Sequence, residues 1–209
     1  MSAAPARGNA GAGEHAEVHP NPIFRADGRT LLDRAADIGF AHLFASTPVG
    51  PMVAHVPLTR HGDELWCHLA LSNRLHPHLD GAAVLASIAG PHGYVTPNWY
   101  AKPANQVPTW NYVAIEIDGV ARALSEAELR QQLEALADHH EPRPNPWTLA
   151  KTDPATVAAM LRAIGGFAID VTAVRGTDKL AQHKSLEDRG GVIAGLRSRG
   201  NTALAEAMA

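Results

Sequence analysis

From Phe40 onwards short apolar stretches are cut at regular intervals by turn residues: FAHLFAS at 40–46, PMVAHVPLT at 51–59, ELWCHLAL at 64–71 and AAVLASIAG at 82–90. Apolar runs of this length, bounded by Gly, Pro, Asn and Asp, are the pattern of β-strands. The connections TPVG and RHGD are tight and SNRLHPHLDG is longer, so an antiparallel meander is predicted. YVAIEIDGVARAL adds a long strand, with Val113, Ile115 and Ile117 on one face and Glu116 and Asp118 opposite or near its end. FAIDVTAVRG alternates in the same way.

Elsewhere the period is helical. In GRTLLDRAADI the residues Leu31, Leu32, Ala35 and Ile38 share a face, Asp27 is placed to cap the helix and Gly39 to stop it. Ser125 followed three residues later by Glu128 is a capping box, predicting a helix from about 126 to 140. Pro142, Pro144, Pro146 and Pro154 make the next stretch a connector. ATVAAMLRAIGG then predicts a helix ended by Gly165 and Gly166, and the last segment predicts helix interrupted at Gly190 and Gly191. Residues 1–17 are Ala, Gly and polar residues without periodicity and are expected to form a disordered tail. That leaves 18–209 as a single domain with a helical C-terminal segment, and the fold class is α+β, an antiparallel barrel or strongly curved sheet with flanking helices.

Composition narrows the function classes. A chain of 209 residues carrying net charge −3 lacks the basic footprint of a duplex-DNA binder, and no helix-turn-helix or Cys/His finger is visible. The single cysteine, Cys67, excludes an intramolecular disulfide and a multi-cysteine zinc site, in keeping with a cytoplasmic protein. No stretch approaches the roughly 20 apolar residues that span a bilayer, so no membrane role is expected.

The chemistry concentrates in residues 90–112, GPHGYVTPNWYAKPANQVPTWNY, which hold all three tyrosines and two of the four tryptophans. Four prolines rule out one helix or one interior strand, so the block reads as strand, ordered excursion, strand. His92, Trp99, Tyr100, Lys102, Thr109, Trp110 and Asn111 combine stacking surfaces with hydrogen bonders, which suits one wall of a pocket for a flat ligand. An aromatic plug beneath a long loop is the structural alternative.

Other candidates lie outside that block. His55 and His68 fall on neighbouring strands and could meet. Ser72, Asn73 and Arg74 begin a short helix whose backbone N–H groups, with the guanidinium, would accept an anion. Lys179, Gln182, His183 and Lys184 form a compact polar set after a strand, able to reach a carboxylate, a carbonyl or an anionic cofactor. The pairs His76/His78 and His139/His140 bring no third metal ligand by sequence and read as surface histidines.

Taken in order and spacing, GPHGYVTPNWY, QVPTWNYVAIEIDGVAR, the PW at 146–147, MLRAIGGFAIDVTA and KLAQHKSLEDRGGVIAGL resemble the PaiB family of FMN-binding negative transcriptional regulators, from about His19 to Leu196. The resemblance implies a flavin-type split β-barrel forming a homodimer, with FMN or a related flat cofactor at the subunit interface. It gives His68, Ser72, Asn73 and Arg74 a phosphate-binding role, although flavin oxidases of the wider group carry two adjacent basic residues where this chain has Asn73 then Arg74. The Val53–His55 strand would flank the ring. His92 and Val107–Tyr112 would line the ring or substrate side. Proteins similar to haem-dependent piperazate synthases belong to the same group, and under that reading His55 or His92 is the axial ligand. Direct DNA binding is the third class, disfavoured by charge and motif.

Overall fold

The structure is a computed structural model, and it describes residues 19–209 apart from Asp27 and Arg29. The expected tail at 1–17 and the expected cap Asp27 therefore lie outside the described residues. Helix α1 (Thr30–Ile38) buries Leu31, Leu32 and Ala35 and stops where predicted, at Gly39, whose φ of +71° is the left-handed conformation that glycine adopts without steric cost.

Seven antiparallel strands follow the meander: β1 (Arg25–Ala26), β2 (Phe40–Thr47), β3 (Gly50–His61), β4 (Glu64–Ala70), β5 (Ala83–Val95), β6 (Thr109–Ala123) and β7 (Ile164–Lys179). They hydrogen-bond in the order β1-β7-β4-β3-β2-β5-β6, and β6 returns to pair with β7, so six strands close into a barrel. The two-residue β1 is added to the C-terminal half of β7 at Gly176 and Thr177. Each barrel strand sends a fully buried aliphatic residue inward: Leu43, Val56, Leu65, Ile88, Ile115 and Ile169. Burial of such side chains is worth about 1.5–3 kcal/mol apiece, and α1 plugs one side of the same core with Leu31 and Ala35. Cys67 lies in that core, where burial pushes its thiol up to about 12.

Helix α2 (Glu126–His140) has the predicted bounds and the complete capping box, with Ser125 Oγ accepting from Glu128 N–H and Glu128 Oε2 accepting from Ser125 N–H. It packs outside the barrel with α3 (Pro154–Leu161), burying Leu129, Val157 and Leu161. Helices α4 (Leu186–Ser198) and α5 (Thr202–Met208) cover the far ends of β5 and β6, enclosing Val95, Tyr100, Val113, Leu196 and Leu204.

Two glycine pairs differ from the sequence expectation. Helix α3 ends at Leu161 and β7 starts at Ile164, so Gly165 and Gly166 are strand residues paired with Leu69 and His68. A Cβ at Gly166 would press on Leu124 and Leu129, so the missing side chain lets α2 and the segment before it lie against the strand. Similarly α4 runs straight through Gly190 and Gly191, and the break comes at Gly200, φ +76°. Gly191 and Gly195 are small because Trp99 lies against them, backbone carbonyl on the first and indole on the second.

Candidate functional site

The aromatic block forms strand, excursion and strand, as predicted. Strand β5 continues to Val95, with a register shift between Ala89 and His92 that accommodates Pro91, which has no N–H to give to the ladder. Thr96 caps a 3-10 turn at Pro97–Trp99, and an exposed loop leads to β6. The paired ends of β5 and β6 have two faces. Gly93 faces α5, where an added Cβ would strike the Asn201 amide at 2.6 Å, and Val95, Asn111 and Val113 are buried nearby. The opposite face presents His92, Tyr94 and Trp110. His92 and Trp110 stack at 5.9 Å, and Tyr94 meets Trp110 edge-on at 6.4 Å. Tyr94 and Trp110 are 46% and 49% exposed, so half of each ring surface is left open.

Beside this ladder is a cavity of about 330 Å³ where the aromatic block, the N-terminal segment and the KLAQHK segment converge. Tyr100, Thr109, Asn111, Lys179, His183 and Lys184 all line it. Lys179 Nζ donates to Thr109 Oγ1 at 2.7 Å, and Lys184 Nζ donates to Gln106 Oε1 at 2.7 Å while lying 4.7 Å from the centre of the Tyr100 ring. No acidic side chain lines the cavity among the described residues. The field is felt by His183, whose pKa is pulled below the usual histidine range by burial first and then by Lys184 and Lys179. Both lysines have neutral hydrogen-bond partners, and the carboxylate felt at the cavity is that of Asp188, which after burial is the second cause raising the Tyr100 pKa.

Gln182 works differently from its neighbours. Its side chain folds back on the chain, accepting from Leu180 N–H at 2.8 Å and donating to the Asp178 carbonyl. Those bonds hold Ala181 at φ +61°, a left-handed conformation that is costly for alanine, and the resulting tight turn brings Lys184 round to the same cavity as Lys179. Phe24 and Asn21 also line the cavity, delivered by the short β1 pairing. Their participation has no signature in the sequence.

The remaining candidates are dispersed. Trp99 is taken up in packing, between the glycines of α4 and Arg199, whose guanidinium lies 5.2 Å from its ring. Lys102 stands on the exposed loop. His55 and His68 do not meet. His55 is cross-strand partner to His42, with rings 4.9 Å apart on the barrel exterior, whereas His68 lies under α2 and donates from Nδ1 to Gln132 Oε1 at 2.8 Å. Ser72, Asn73 and Arg74 form a turn rather than a helix start, since only His76–His78 adopts 3-10 geometry and Asn73 Oδ1 accepts from Leu75 N–H. Ser72 and Arg74 are exposed, at the opposite end of the β4–β7 pairing from the Lys179 end. Of the two polar sets the sequence offers for an anion, the Lys179–Lys184 set is the one that lines the cavity beside the aromatic block.

Comparison with known proteins agrees with this architecture. The family model described as "Putative FMN-binding domain" matches residues 18–173. The chain is 31% identical over 157 residues to the protease synthase and sporulation protein PAI 2 of Bacillus subtilis, covering 72% of this chain and 75% of that protein. It is 32% identical over 136 residues to an uncharacterized protein of Emericella nidulans, of which it spans about half, 54%. Among solved structures it is similar in fold to the FAD and haem binding protein from Mycobacterium smegmatis, with TM-score 0.57, 17% identity and coverage of 79% of this chain and 78% of that one. The flavocytochrome Anf3 from Azotobacter vinelandii gives TM-score 0.55 at 15% identity, covering 80% and 75%. Lys179 and Lys184 lie beyond the matched family span, on the part of the chain that builds the cationic cavity. With a family match over most of its length, a PAI 2 relative and a closed split barrel, the chain belongs to the PaiB-like family of FMN-binding-domain proteins.

Proposed function

We propose that this chain binds FMN, with the phosphate held at Lys179 and Lys184 and the flat ring system against the His92–Tyr94–Trp110 ladder. The observation that carries the reading is the pair of lysines around a cavity with no acid in its lining, with Lys179 opposite Tyr112 in register, on the β6 face that also carries Trp110. The residues fit the group: a phosphate needs charge-assisted donors, and an isoalloxazine needs an apolar face with hydrogen bonders at its rim. Gln106 and Thr109 bring hydrogen bonders to the cavity, whereas Asn111 is turned toward α5, where its amide donates to Met208 Sδ. Bound flavin would contribute hydride or single-electron transfer. The chain's own residues bind and orient it: the lysines fix the anionic end, and the ladder excludes water from one ring face.

The cofactor site is completed by a second copy of the chain. Phe40 and Phe44, 51% and 39% exposed on the outer side of β2, and the open ladder leave apolar surface that a homodimer would cover. Transcriptional control, the role the resemblance attaches to this family, is read as indirect, because net charge −3 provides little to hold DNA. Haem is the competing occupant, since His55 and His92 both stand exposed on outer strand faces.

Titration with FMN tests the proposal. Flavin fluorescence quenching and a rise in Tm are expected, with Lys179→Met and Lys184→Met each weakening binding and Phe44→Glu converting dimer to monomer in light scattering. Absence of both quenching and stabilisation refutes FMN binding. A Soret band on adding haemin that is lost in His55→Ala or His92→Ala would assign the site to haem instead.

A further inference from the structure

A second cavity, of about 420 Å³, lies on the other side of the molecule between α2, the proline-rich connector, α3 and the start of β7. Its walls are Leu133 and Leu136 of α2, Leu149 of the connector, Val157 and Leu161 of α3, and Ile164 of β7. Trp147 and Met160, 41% and 63% exposed, stand at its mouth. This volume falls in the range of small-molecule pockets, about 300–1,000 Å³.

His140, Glu141 and Thr152 also line the cavity, with Glu141 Oε2 accepting from Trp147 N–H, and from the barrel side the apolar lining is interrupted by one ring, His68. His68 is held by its Nδ1–H donating to Gln132 Oε1, a carbonyl that can only accept. Its tautomer is thereby set, with the proton on Nδ1 and Nε2 left as the acceptor of a half-buried ring. Gln132 is itself fully buried, and its amide Nε2 has no partner. A pair of leucines at 68 and 132 would avoid that unsatisfied donor. The polar pair gives the wall one oriented lone pair, and burial keeps the imidazole neutral and able to accept by holding its pKa below the ordinary histidine range.

We propose that this cavity is a binding site, separate from the flavin site, for a small and mostly apolar molecule that carries one hydroxyl or N–H and donates it to His68 Nε2. The apolar body is accepted by the leucines of α2 and α3, and the single donor is read by the histidine. Molecules lacking the donor leave His68 unpaired in an apolar wall, which is how such a site discriminates.

Calorimetry with 1-naphthol and 1-methoxynaphthalene on the full chain tests this. Naphthol is expected to bind saturably, one per chain, about tenfold more tightly than the ether, the worth of one hydrogen bond to an acceptor that the bound probe covers. His68→Leu should bring the two probes to equal affinity, and Ala137→Trp, which fills the cavity from α2, should abolish both while FMN titration and circular dichroism are unchanged. The proposal is overturned if naphthol shows no saturable binding, if His68→Leu preserves the preference for naphthol, or if FMN displaces the probe. Failure of FMN to bind leaves the naphthol and ether affinities, the His68→Leu comparison and the circular dichroism control as readable as before, because none of these passes through the flavin site.

Discussion

Adjacent glycines in α4 should respond to the same substitution with opposite signs. Gly190 is exposed and a Cβ there meets nothing within 4 Å. Gly190→Ala therefore shows only the intrinsic helix preference and the loss of unfolded-chain freedom, a gain of about 0.5–1 kcal/mol. Gly191→Ala makes the same gain, but its Cβ would overlap the Trp99 carbonyl. That oxygen belongs to the backbone of the Pro97–Trp99 turn and has no rotamer to move to. Overpacking costs about 1–3 kcal/mol, and a backbone obstacle belongs at the upper end, leaving Gly191→Ala destabilised by about 2 kcal/mol. The two variants should differ by about 3 kcal/mol. For a chain of this size each kcal/mol moves Tm by about 2–4 °C, so calorimetry should show Gly190→Ala slightly above the parent and Gly191→Ala lower by about 4–8 °C. The turn that must yield also carries Tyr100, whose ring lies under Lys184, so FMN affinity should fall in Gly191→Ala alone. Two variants that shift Tm together, in either direction, would refute the assignment of Gly191 to the Trp99 contact.

Three further outcomes are expected. Lys179→Met and Lys184→Met should each reduce FMN affinity about tenfold, a charge-assisted hydrogen bond being worth about 1.5–3 kcal/mol, and the double variant should flatten the salt dependence; unchanged affinity for riboflavin against FMN in the wild type would contradict phosphate recognition there. The pKa values of His61, His68 and His183 are all lowered, each chiefly by burial, so the unfolded chain takes up protons before the folded one does. Their contribution to stability is complete above the ordinary histidine value of about 6.5 and is lost as pH falls below it; Tm should drop between pH 7.5 and 5.5, less steeply in His68→Gln, and a flat profile would count against it. Ser125→Ala should cost about 1 kcal/mol through loss of the α2 cap, seen in urea unfolding, and an effect near zero would show that Glu128 suffices alone.

What the sequence made legible follows from which signals are local. The capping box at Ser125 and Glu128 involves residues three apart, and it located α2 to the residue. Alternation in YVAIEIDGV sorted Ile115 and Ile117 inward because strand periodicity needs no partner to be read. Glycine was the ambiguous letter: Gly165–Gly166 and Gly190–Gly191 look like helix stops, yet Gly165, Gly166 and Gly191 are small because a distant side chain or carbonyl presses on each, His76, Leu129 and the Trp99 carbonyl in turn, and Gly190 meets nothing. The cationic cavity was half visible. Lys179, His183 and Lys184 announced themselves as a set, as did the aromatic block, but the contact between them depends on β6–β7 pairing across some seventy residues, Tyr112 opposite Lys179. His55 and His68 were separated by the β3–β4 register, in which Leu58 faces Cys67, and two histidines on adjacent strands cannot disclose it. Gln132, the residue that orients His68, reads in sequence as an ordinary polar helix position.

Strand β7 runs unbroken from Ile164, in the wall of the apolar cavity, to Lys179, in the cationic one. At about 3.3 Å per residue it acts as a ruler that holds the two mouths tens of ångströms apart. Molecules seated at both ends would never touch, so the proposed flavin and the proposed apolar guest would occupy a single chain without competing. Any influence of one on the other would have to be transmitted as a shift of the strand they share, making β7 the place where cross-talk between the sites would be measured.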